Sequence, residues 1–173
     1  MTLTEEIRHI LAGHTDTHIV EAYKDRLQAG ALTREENPHS HFCGYFVPFN
    51  KSEGKVLIGS HKKSGLWLMP GGHIEPNEPL LNTLNREIEE ELGVKNFYKE
   101  MPQAFLLTIT HIVSDVRPCQ EHFDMWFLME TDGKDMVIDY TEYHEVRWAT
   151  LAEAKELTKD PANLEALQVL REM

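Results

Sequence analysis

The stretch that decides the fold is Gly72–Val94, which reads GHIEPNEPLLNTLNREIEEELGV. It joins a glycine-containing loop to a strongly acidic helical segment that a second glycine closes. A residue before proline is pushed away from helical dihedrals, whereas proline itself suits the first helical position. We therefore expect a helix that begins at Pro79, with Glu78 or Asn77 as its cap. It should end at Leu92, because the glycine that follows can adopt a left-handed conformation.

Three carboxylates of this helix fall on one arc when successive side chains are placed about 100° apart. Glu87, Glu90 and Glu91 share the arc, whereas Glu89 lies on the far side and is expected to be solvated. The predicted buried stripe beside the arc consists of Leu81, Leu84, Ile88 and Leu92. Clustered carboxylates repel one another, and a divalent cation such as Mg²⁺ removes that penalty because it prefers oxygen ligands. The alternative is a solvated acidic surface that Arg86 braces through local ion pairs.

The spacing of the stretch resembles the Nudix box, G-x5-E-x7-R-E-U-x-E-E-x-G-U, in which U is a bulky aliphatic residue. All nine defined positions match, namely Gly72, Glu78, Arg86, Glu87, Ile88, Glu90, Glu91, Gly93 and Val94. The resemblance implies the Nudix fold and metal-dependent hydrolysis of a pyrophosphate bond in a nucleoside diphosphate linked to another moiety. Mg²⁺ or Mn²⁺ is the implied cofactor. The chain departs from the family at Thr83 and Leu84, where members commonly carry small alanines.

The resemblance also implies roles for the residues of the box. Glu90 and Glu91 are the first choices as metal ligands, and Glu87 completes the cluster and is a candidate base. The backbone carbonyl of Gly71, just before the first box glycine, is expected to join the metal shell. Arg86 is expected to orient the carboxylates. These roles describe a site that binds metal and pyrophosphate together.

Acidic residues outside the box are further candidates, because Nudix members differ in where their catalytic base lies. Glu142 precedes a late predicted strand and resembles the extra metal-binding acid of mutator-type members, although a solvated loop acid is the alternative. Glu121 and Asp124 are weaker candidates. Trp126 is either a platform for a nucleobase or, more commonly, a core aromatic residue. Glu78 is expected to hold the loop to the helix. Nothing after the box indicates a particular substrate.

Helical and strand patterns around the box predict a mixed sheet between helical layers, an α/β architecture. Helices are expected from the Thr2 capping box to near Gly13, from about Asp16 to Gln28, from the Thr150 capping box to about Leu157, and after Asp160. Strands are expected at His41–Phe49, Lys55–Ser60, Leu66–Met69, Ala104–Val113, His122–Glu130 and Glu145–Trp148. Alternation along the fifth of these places Phe123, Met125 and Phe127 on one face and Asp124 and Trp126 on the other.

Length and patterning favour a single domain over residues 1–173, with a helical extension at 1–38 and a catalytic core at 39–173 that contains the box at 72–94. The extension is expected to pack on the core, and a lid, a dimer surface or a part in substrate recognition are the alternatives.

The formal net charge of −12 argues against binding to a nucleic-acid duplex, which needs many Lys and Arg residues. This negative charge is compatible with binding a small nucleotide or nucleoside diphosphate derivative, because a bound metal inverts the local electric field. The chain contains no apolar run of the roughly 20 residues that a membrane helix needs. The N-terminus is acidic, unlike a signal peptide. We therefore expect no membrane partner and a cytoplasmic protein.

Cysteines and histidines give no metal-binding pattern along the chain. Cys43 and Cys119 are expected to be small buried thiols, and the ten histidines are scattered along a chain that has no C-x2-C pair to complete a zinc site. None of the histidines is therefore assigned to a metal. An isoprenoid diphosphate isomerase would need a catalytic cysteine, for which the surroundings of Cys43 are unsuitable. A non-catalytic nucleotide-sensing module on the same fold is the remaining alternative, although such modules usually lose the acids of the box.

Overall fold

A seven-stranded mixed sheet lies at the centre of the computed structural model, which describes residues 1–112 and 118–173. The helices are α1 (Leu3–Ala12), α2 (Thr17–Gln28), α3 (Leu80–Leu92), α4 (Leu151–Leu157) and α5 (Pro161–Glu172). The strands are β1 (Ser40–Asn50), β2 (Lys55–His61), β3 (Trp67–Leu68), β4 (Gly71–His73), β5 (Leu106–His111), β6 (Glu121–Glu130) and β7 (Tyr143–Thr150). The predicted end of the strand Ala104–Val113, at Val113, lies outside the described residues.

The sheet is built around β1, the longest of its strands. Its main path runs β3-β2-β1-β6-β5, while β4 pairs with β1 and β7 pairs with β2. The pairing of β1 with β6 is parallel, whereas β1 pairs antiparallel with β2 and β4. The strand β4 contains the glycines that precede α3. Its pairing with β1 therefore holds the start of the box at the centre of the sheet.

Helices cover both faces of the sheet, as the sequence predicts. One core contains apolar side chains of α1, α2 and α3 against β1, β5 and β6, with Ile10, Tyr23 and Leu84 among its members. The second core lies on the other face, where Ala154 of α4 and Leu167 of α5 pack. The predicted alternation in β6 is confirmed: Phe123, Met125 and Phe127 belong to the first core and Trp126 to the second. None of the described helices is long and apolar enough to cross a membrane.

Local sequence determines where α1, α2, α4 and α5 begin. The predicted capping boxes of Thr2 with Glu5 and of Thr150 with Glu153 are both present. Asp16 caps α2 through its side chain, and Asp160 caps α5, whose first residue is a proline. These side chains satisfy amide groups that have no partner within the helix, so they define where each helix begins.

The start of α3 differs from the prediction. The helix begins at Leu80, and Pro79 is its N-cap residue with an extended backbone and no side-chain capping bond. Glu78 does not cap the helix, because its carboxylate binds Arg86 and Thr83. The capping carboxylate instead comes from α1: Glu6 accepts a hydrogen bond from the Leu80 amide at 2.6 Å.

Two further expectations about this region were wrong in detail. Leu80, which was not placed in the predicted buried stripe, is fully buried, whereas Leu81, which was, is only partly buried. The predicted strand Leu66–Met69 shrinks to β3, and the glycines expected to form a loop make the short strand β4. The helix ends as predicted, with Gly93 in the left-handed conformation at a φ of 70°.

Candidate active site

The acids of α3 face a cavity of about 1240 Å³ that the glycine strand β4 also lines. The lining includes Glu87, Glu90 and Glu91, together with Gly71 and Gly72. The structure thus brings together the predicted ligands from the helix and the strand. Glu89 lies away from them, about half exposed, and pairs with Lys95 at 3.2 Å.

Glu91 is the most deeply buried of these acids. One of its carboxylate oxygens accepts a hydrogen bond from the Gly71 amide at 2.9 Å, and the other accepts one from the Tyr143 hydroxyl. Burial raises the pKa of Glu91 to about 8. The residue therefore ties β4 and β7 to the box helix, and in the absence of a cation its carboxyl group holds a proton at neutral pH.

Glu87 and Glu90 differ in exposure. The Glu87 side chain is 13% exposed, and burial raises its pKa, whereas the Glu90 side chain is 59% exposed. Gly72 makes room for Glu87, since a Cβ atom at Gly72 would lie 2.3 Å from the Glu87 Oε1 atom. The three carboxylates thus form a gradient from the cavity wall to solvent, which suits a cation that is shared with a substrate and water.

Arg86 connects the box into one network. Its guanidinium donates two hydrogen bonds of 3.0 Å to Glu78 and one of 3.0 Å to the carbonyl of His73. It also contacts Glu87 at 2.7 Å and Glu90 at 3.2 Å. Burial opposes its charge, but the carboxylates of Glu78 and Glu87 outweigh burial and raise the Arg86 pKa. These contacts agree with the expected orienting role, and they join Glu78 to the helix.

Glu142 lines the same cavity from the segment before β7. It forms ion pairs with Lys63 at 3.0 Å and with His61 at 3.5 Å. Its charge is one of the causes that raise the Glu91 pKa, which places the two acids within electrostatic reach of each other. Glu121, in contrast, is absent from the described lining of the cavity, and its carboxylate accepts a hydrogen bond from Ser40.

Asp124 and Trp126 lie on the cavity side of β6. Asp124 is buried, its Oδ1 atom has no hydrogen-bond partner within the described part of the chain, and burial raises its pKa to about 7. Trp126 is only 1% exposed, stacks on Tyr45 at 4.8 Å between ring centroids, and donates a hydrogen bond to Thr108. This burial favours the core interpretation of Trp126 over that of a nucleobase platform.

A cluster of histidines next to these acids was missed by the sequence prediction. His41, His73 and His122 meet beside Cys43, although they belong to three different strands. The spacing of His41 and Cys43 by two residues puts both on one face of β1, and this is the one local indication. The remaining partners come from strand pairing, which the sequence does not reveal. Both cysteines are free and buried, as expected.

Comparison with known proteins identifies the family of this architecture. The family model described as NUDIX domain matches residues 40–170. A mouse protein, nucleoside diphosphate-linked moiety X motif 6, is 32% identical over 40% of this chain and 26% of its own length. The NAD-capped RNA hydrolase NudC of Photobacterium profundum is 29% identical over 60% of this chain and 36% of its own length. The chain therefore spans only about a third or less of these two relatives.

Other relatives are matched over more of their length. The CTP pyrophosphohydrolase of Escherichia coli K12 is 26% identical over 69% of this chain and 86% of its own length. Among solved structures, the dihydroneopterin triphosphate pyrophosphohydrolase of E. coli superposes with a TM-score of 0.61 at 18% identity, covering 76% of this chain and 96% of the other. The MutT protein of Methanosarcina mazei Go1 gives 0.60 at 20% identity over 78% and 95%. At these identities the structural matches establish the fold alone.

Proposed function

Because this chain belongs to the Nudix family, we propose that it hydrolyses a pyrophosphate bond in a nucleoside diphosphate linked to another moiety, with Mg²⁺ or Mn²⁺ as cofactor. The observation that carries the proposal is the convergence of Glu87, Glu90 and Glu91 on one cavity beside the glycine strand. The chain acts in this proposal as a single domain over residues 1–173, with residues 1–38 as a helical extension of the core at 39–173. Its assignment to the cytoplasm stays a prediction.

The residues of the site fit a divalent cation. Three carboxylates share one cavity, and Glu91 is buried where its charged form needs a positive partner. Gly72 leaves space next to the Glu87 carboxylate that any side chain would fill. Glu87, Glu90, Glu91 and the carbonyl of Gly71 are the proposed ligands. When bound, the cation would neutralise charge that develops on the phosphates and would lower the pKa of water.

The chain's own residues then position the reaction. Glu87 is the first candidate for the base that accepts a proton from the attacking water, because burial raises its pKa toward neutrality. Glu142 is the candidate for a catalytic or metal-binding acid outside the box, since it faces the same cavity from the segment before β7. Arg86 holds Glu87 and Glu90 in place through hydrogen bonds and does not need to touch the substrate.

The relatives suggest which substrates to try first. Their names include a CTP pyrophosphohydrolase, an NAD-capped RNA hydrolase and an RNA pyrophosphohydrolase. A solved Nudix domain from Shewanella oneidensis, similar in fold, is a complex with ADP-ribose. The cavity of about 1240 Å³ is large enough for a mononucleotide derivative, so small nucleotides are the preferred class here.

A substrate panel tests the proposal. Purified protein is mixed with CTP and other nucleoside triphosphates, nucleotide sugars, ADP-ribose, dinucleotides and dinucleoside polyphosphates, each with Mg²⁺ or Mn²⁺. Inorganic phosphate is measured after a phosphomonoesterase for the substrates without a terminal phosphate, whose products end in a phosphate monoester, and after an inorganic pyrophosphatase for the nucleoside triphosphates, which would release pyrophosphate. We expect cleavage of one class, its loss with a chelator, and its return when metal is added back. Nucleotide binding without cleavage across the panel would instead indicate a sensing module.

A further inference from the structure

Three histidines and one cysteine from three strands converge next to the carboxylate site. His41 and Cys43 lie on β1, and their neighbours come from the adjoining strands. His122 of β6 is the register partner of His41, and His73 of β4 is the register partner of Cys43. One donor atom from each residue lies within 4.8 Å of all the others. The sheet therefore holds these four side chains together in the folded protein.

Two of these imidazoles lack the hydrogen bonds that buried nitrogen atoms normally make. The Nε2 atoms of His73 and His122 are buried and have no partner among the described residues. His122 is only 8% exposed, and His41 and Cys43 are fully buried. An unpaired buried polar atom is costly. Two such atoms among the four side chains of one cluster indicate that a bound group accepts their lone pairs.

The protonation of the cluster suits a cation. His122 is buried and His73 is half-buried, and such surroundings favour the neutral imidazole, which keeps a lone pair. The Nδ1 atom of His41 lies 3.0 Å from the carbonyl of Asn37, and donation to that carbonyl leaves Nε2 as the lone-pair nitrogen, 3.9 Å from the Cys119 sulfur, whose weak contact a metal would replace. A backbone carbonyl behind a ligating imidazole is the usual support of a metal-binding histidine.

We propose that His41, Cys43, His73 and His122 bind a transition-metal ion of the Zn²⁺ type, at a site separate from the carboxylates of α3. Three imidazoles and one sulfur are donors that Zn²⁺ favours, whereas Mg²⁺ prefers oxygen. Four ligands at zinc bond lengths lie roughly 3.3–3.7 Å apart, so the cluster must contract by about 1–1.5 Å. Burial raises the pKa of the Cys43 thiol, and binding the metal therefore releases one proton to solvent.

The cluster is reachable and is linked to the proposed active site. His73 and His122 line the cavity, so an ion can enter from solvent. His73 directly follows Gly72, and its carbonyl accepts a hydrogen bond from Arg86. A metal at this site would tie β4 and β6 to β1, which pairs with both, and would therefore stabilise the strand against which Glu87 packs. The inference does not depend on hydrolysis, because it concerns binding and stability.

The test is a titration of metal-free protein with Zn²⁺ and with Co²⁺ in a large excess of Mg²⁺, which occupies the oxygen ligands of α3. We expect one equivalent of Zn²⁺ by calorimetry. We also expect the absorption of tetrahedral Co²⁺, with a sulfur-to-cobalt charge-transfer band that Cys43→Ser removes. His122→Ala should weaken Zn²⁺ binding at least about tenfold, since even indirect supports of a metal site have that effect.

Control variants show whether Zn²⁺ binds at this cluster and not at another histidine or at the carboxylates of α3. His14 also carries a buried, unpaired Nε2 atom but is not part of the cluster, so His14→Ala should bind Zn²⁺ as the wild type does. The double variant Glu87→Gln/Glu90→Gln should retain the binding as well. Circular dichroism identifies any variant that does not fold, and Cys43→Ser then replaces His122→Ala as the deciding change. The proposal is overturned if Zn²⁺ fails to bind, or if binding is lost with the two glutamates and kept without His122 or Cys43.

Discussion

At the scale of single residues, two adjacent glycines serve different purposes. Gly71 has a φ of 145°, and a Cβ atom there would lie 2.5 Å from the backbone oxygen of Gly44. A Cβ atom at Gly72 would meet only the end of a side chain, the Glu87 carboxylate. The first glycine is therefore needed for the backbone to fold, and the second is needed for a carboxylate to reach its place.

The two alanine variants should consequently fail in different ways. Gly72→Ala displaces the Glu87 carboxylate, and we expect turnover to fall at least about tenfold with little change in unfolding free energy. Gly71→Ala forces a side chain into strained backbone and should destabilise the fold by about 1–3 kcal/mol. Turnover and urea unfolding of both variants check this. Wild-type turnover of Gly72→Ala would show that the position of Glu87 is unimportant.

Asp124 gives a pH dependence whose sign follows from its burial. Its folded-state pKa is about 7, above the ordinary value, so the folded protein keeps a proton that the unfolded chain has lost. Stability from this residue is therefore lost as pH rises from about 4 to about 7, by at most about 4 kcal/mol. The lowered pKa values of His73 and His122 act oppositely, because their contribution is lost as pH falls from about 6.5 toward 3.

Asp124→Asn isolates this effect, since the histidines titrate alike in both proteins. We expect the variant to gain stability relative to the wild type as pH rises from 4 to 7, measured as urea unfolding free energy at several pH values. If the unfolding free energies of the two proteins differ by the same amount at pH 4 and at pH 7, Asp124 does not hold its proton.

At the scale of elements, the box helix shows what sequence predicts well. Its acidic arc, its end at Gly93 and the solvated position of Glu89 all follow from local periodicity and from the glycine. The bulky Leu84 also has a partner that local sequence does not reveal: Gly44 of β1 lies beneath it, and a Cβ atom there would be 3.2 Å from the leucine.

The start of the same helix could not be predicted from local sequence. The cap comes from Glu6, 74 residues earlier in the chain, and no local pattern announces such a contact. The strand β4 was missed for a related reason. Consecutive glycines have no side-chain alternation, and pairing with β1 alone makes them a strand. The histidine cluster depends on the same pairings, so the sequence concealed it as well.

The long-range cap can be tested by removing it. Glu6→Ala leaves the buried Leu80 amide without its acceptor, and we expect a loss of about 1–3 kcal/mol in unfolding free energy. Arg8→Ala, on the exposed face of the same helix, is the matched control and should cost much less. Equal effects of the two changes in urea unfolding would show that α1 contributes general packing and no specific cap.

At the scale of the whole molecule, the helical extension packs against strands whose other face lines the proposed site. The family match begins at residue 40, after α1 and α2. Yet Ile7 and Ile10 are fully buried in the first core, and the one proton of the Tyr23 hydroxyl is shared between the backbone carbonyls of Thr108 and Asp124, at 2.9 and 2.6 Å. These contacts agree with the expectation that the extension packs on the core.

The layered architecture was predictable because it needs only the order and type of the elements. Helices at both ends and a central box helix among strands predict a sheet with a layer on each face, and the two cores have that arrangement. The contents of the cavity were predictable only in part. The box fixes the acids of α3, but Asp124 and the histidines reach the cavity through strand register.

The most direct test of the account compares two neighbouring glutamates on one helix. Metal-dependent turnover of the best substrate from the panel is measured for the wild type, Glu90→Gln and Glu89→Gln. We expect Glu90→Gln to lose at least about a hundredfold in turnover while remaining folded, because it removes charge next to the proposed cation. Glu89→Gln, which loses only the ion pair with Lys95, should be nearly silent. Unchanged turnover in Glu90→Gln, or an equal loss in both variants, would contradict the carboxylate site.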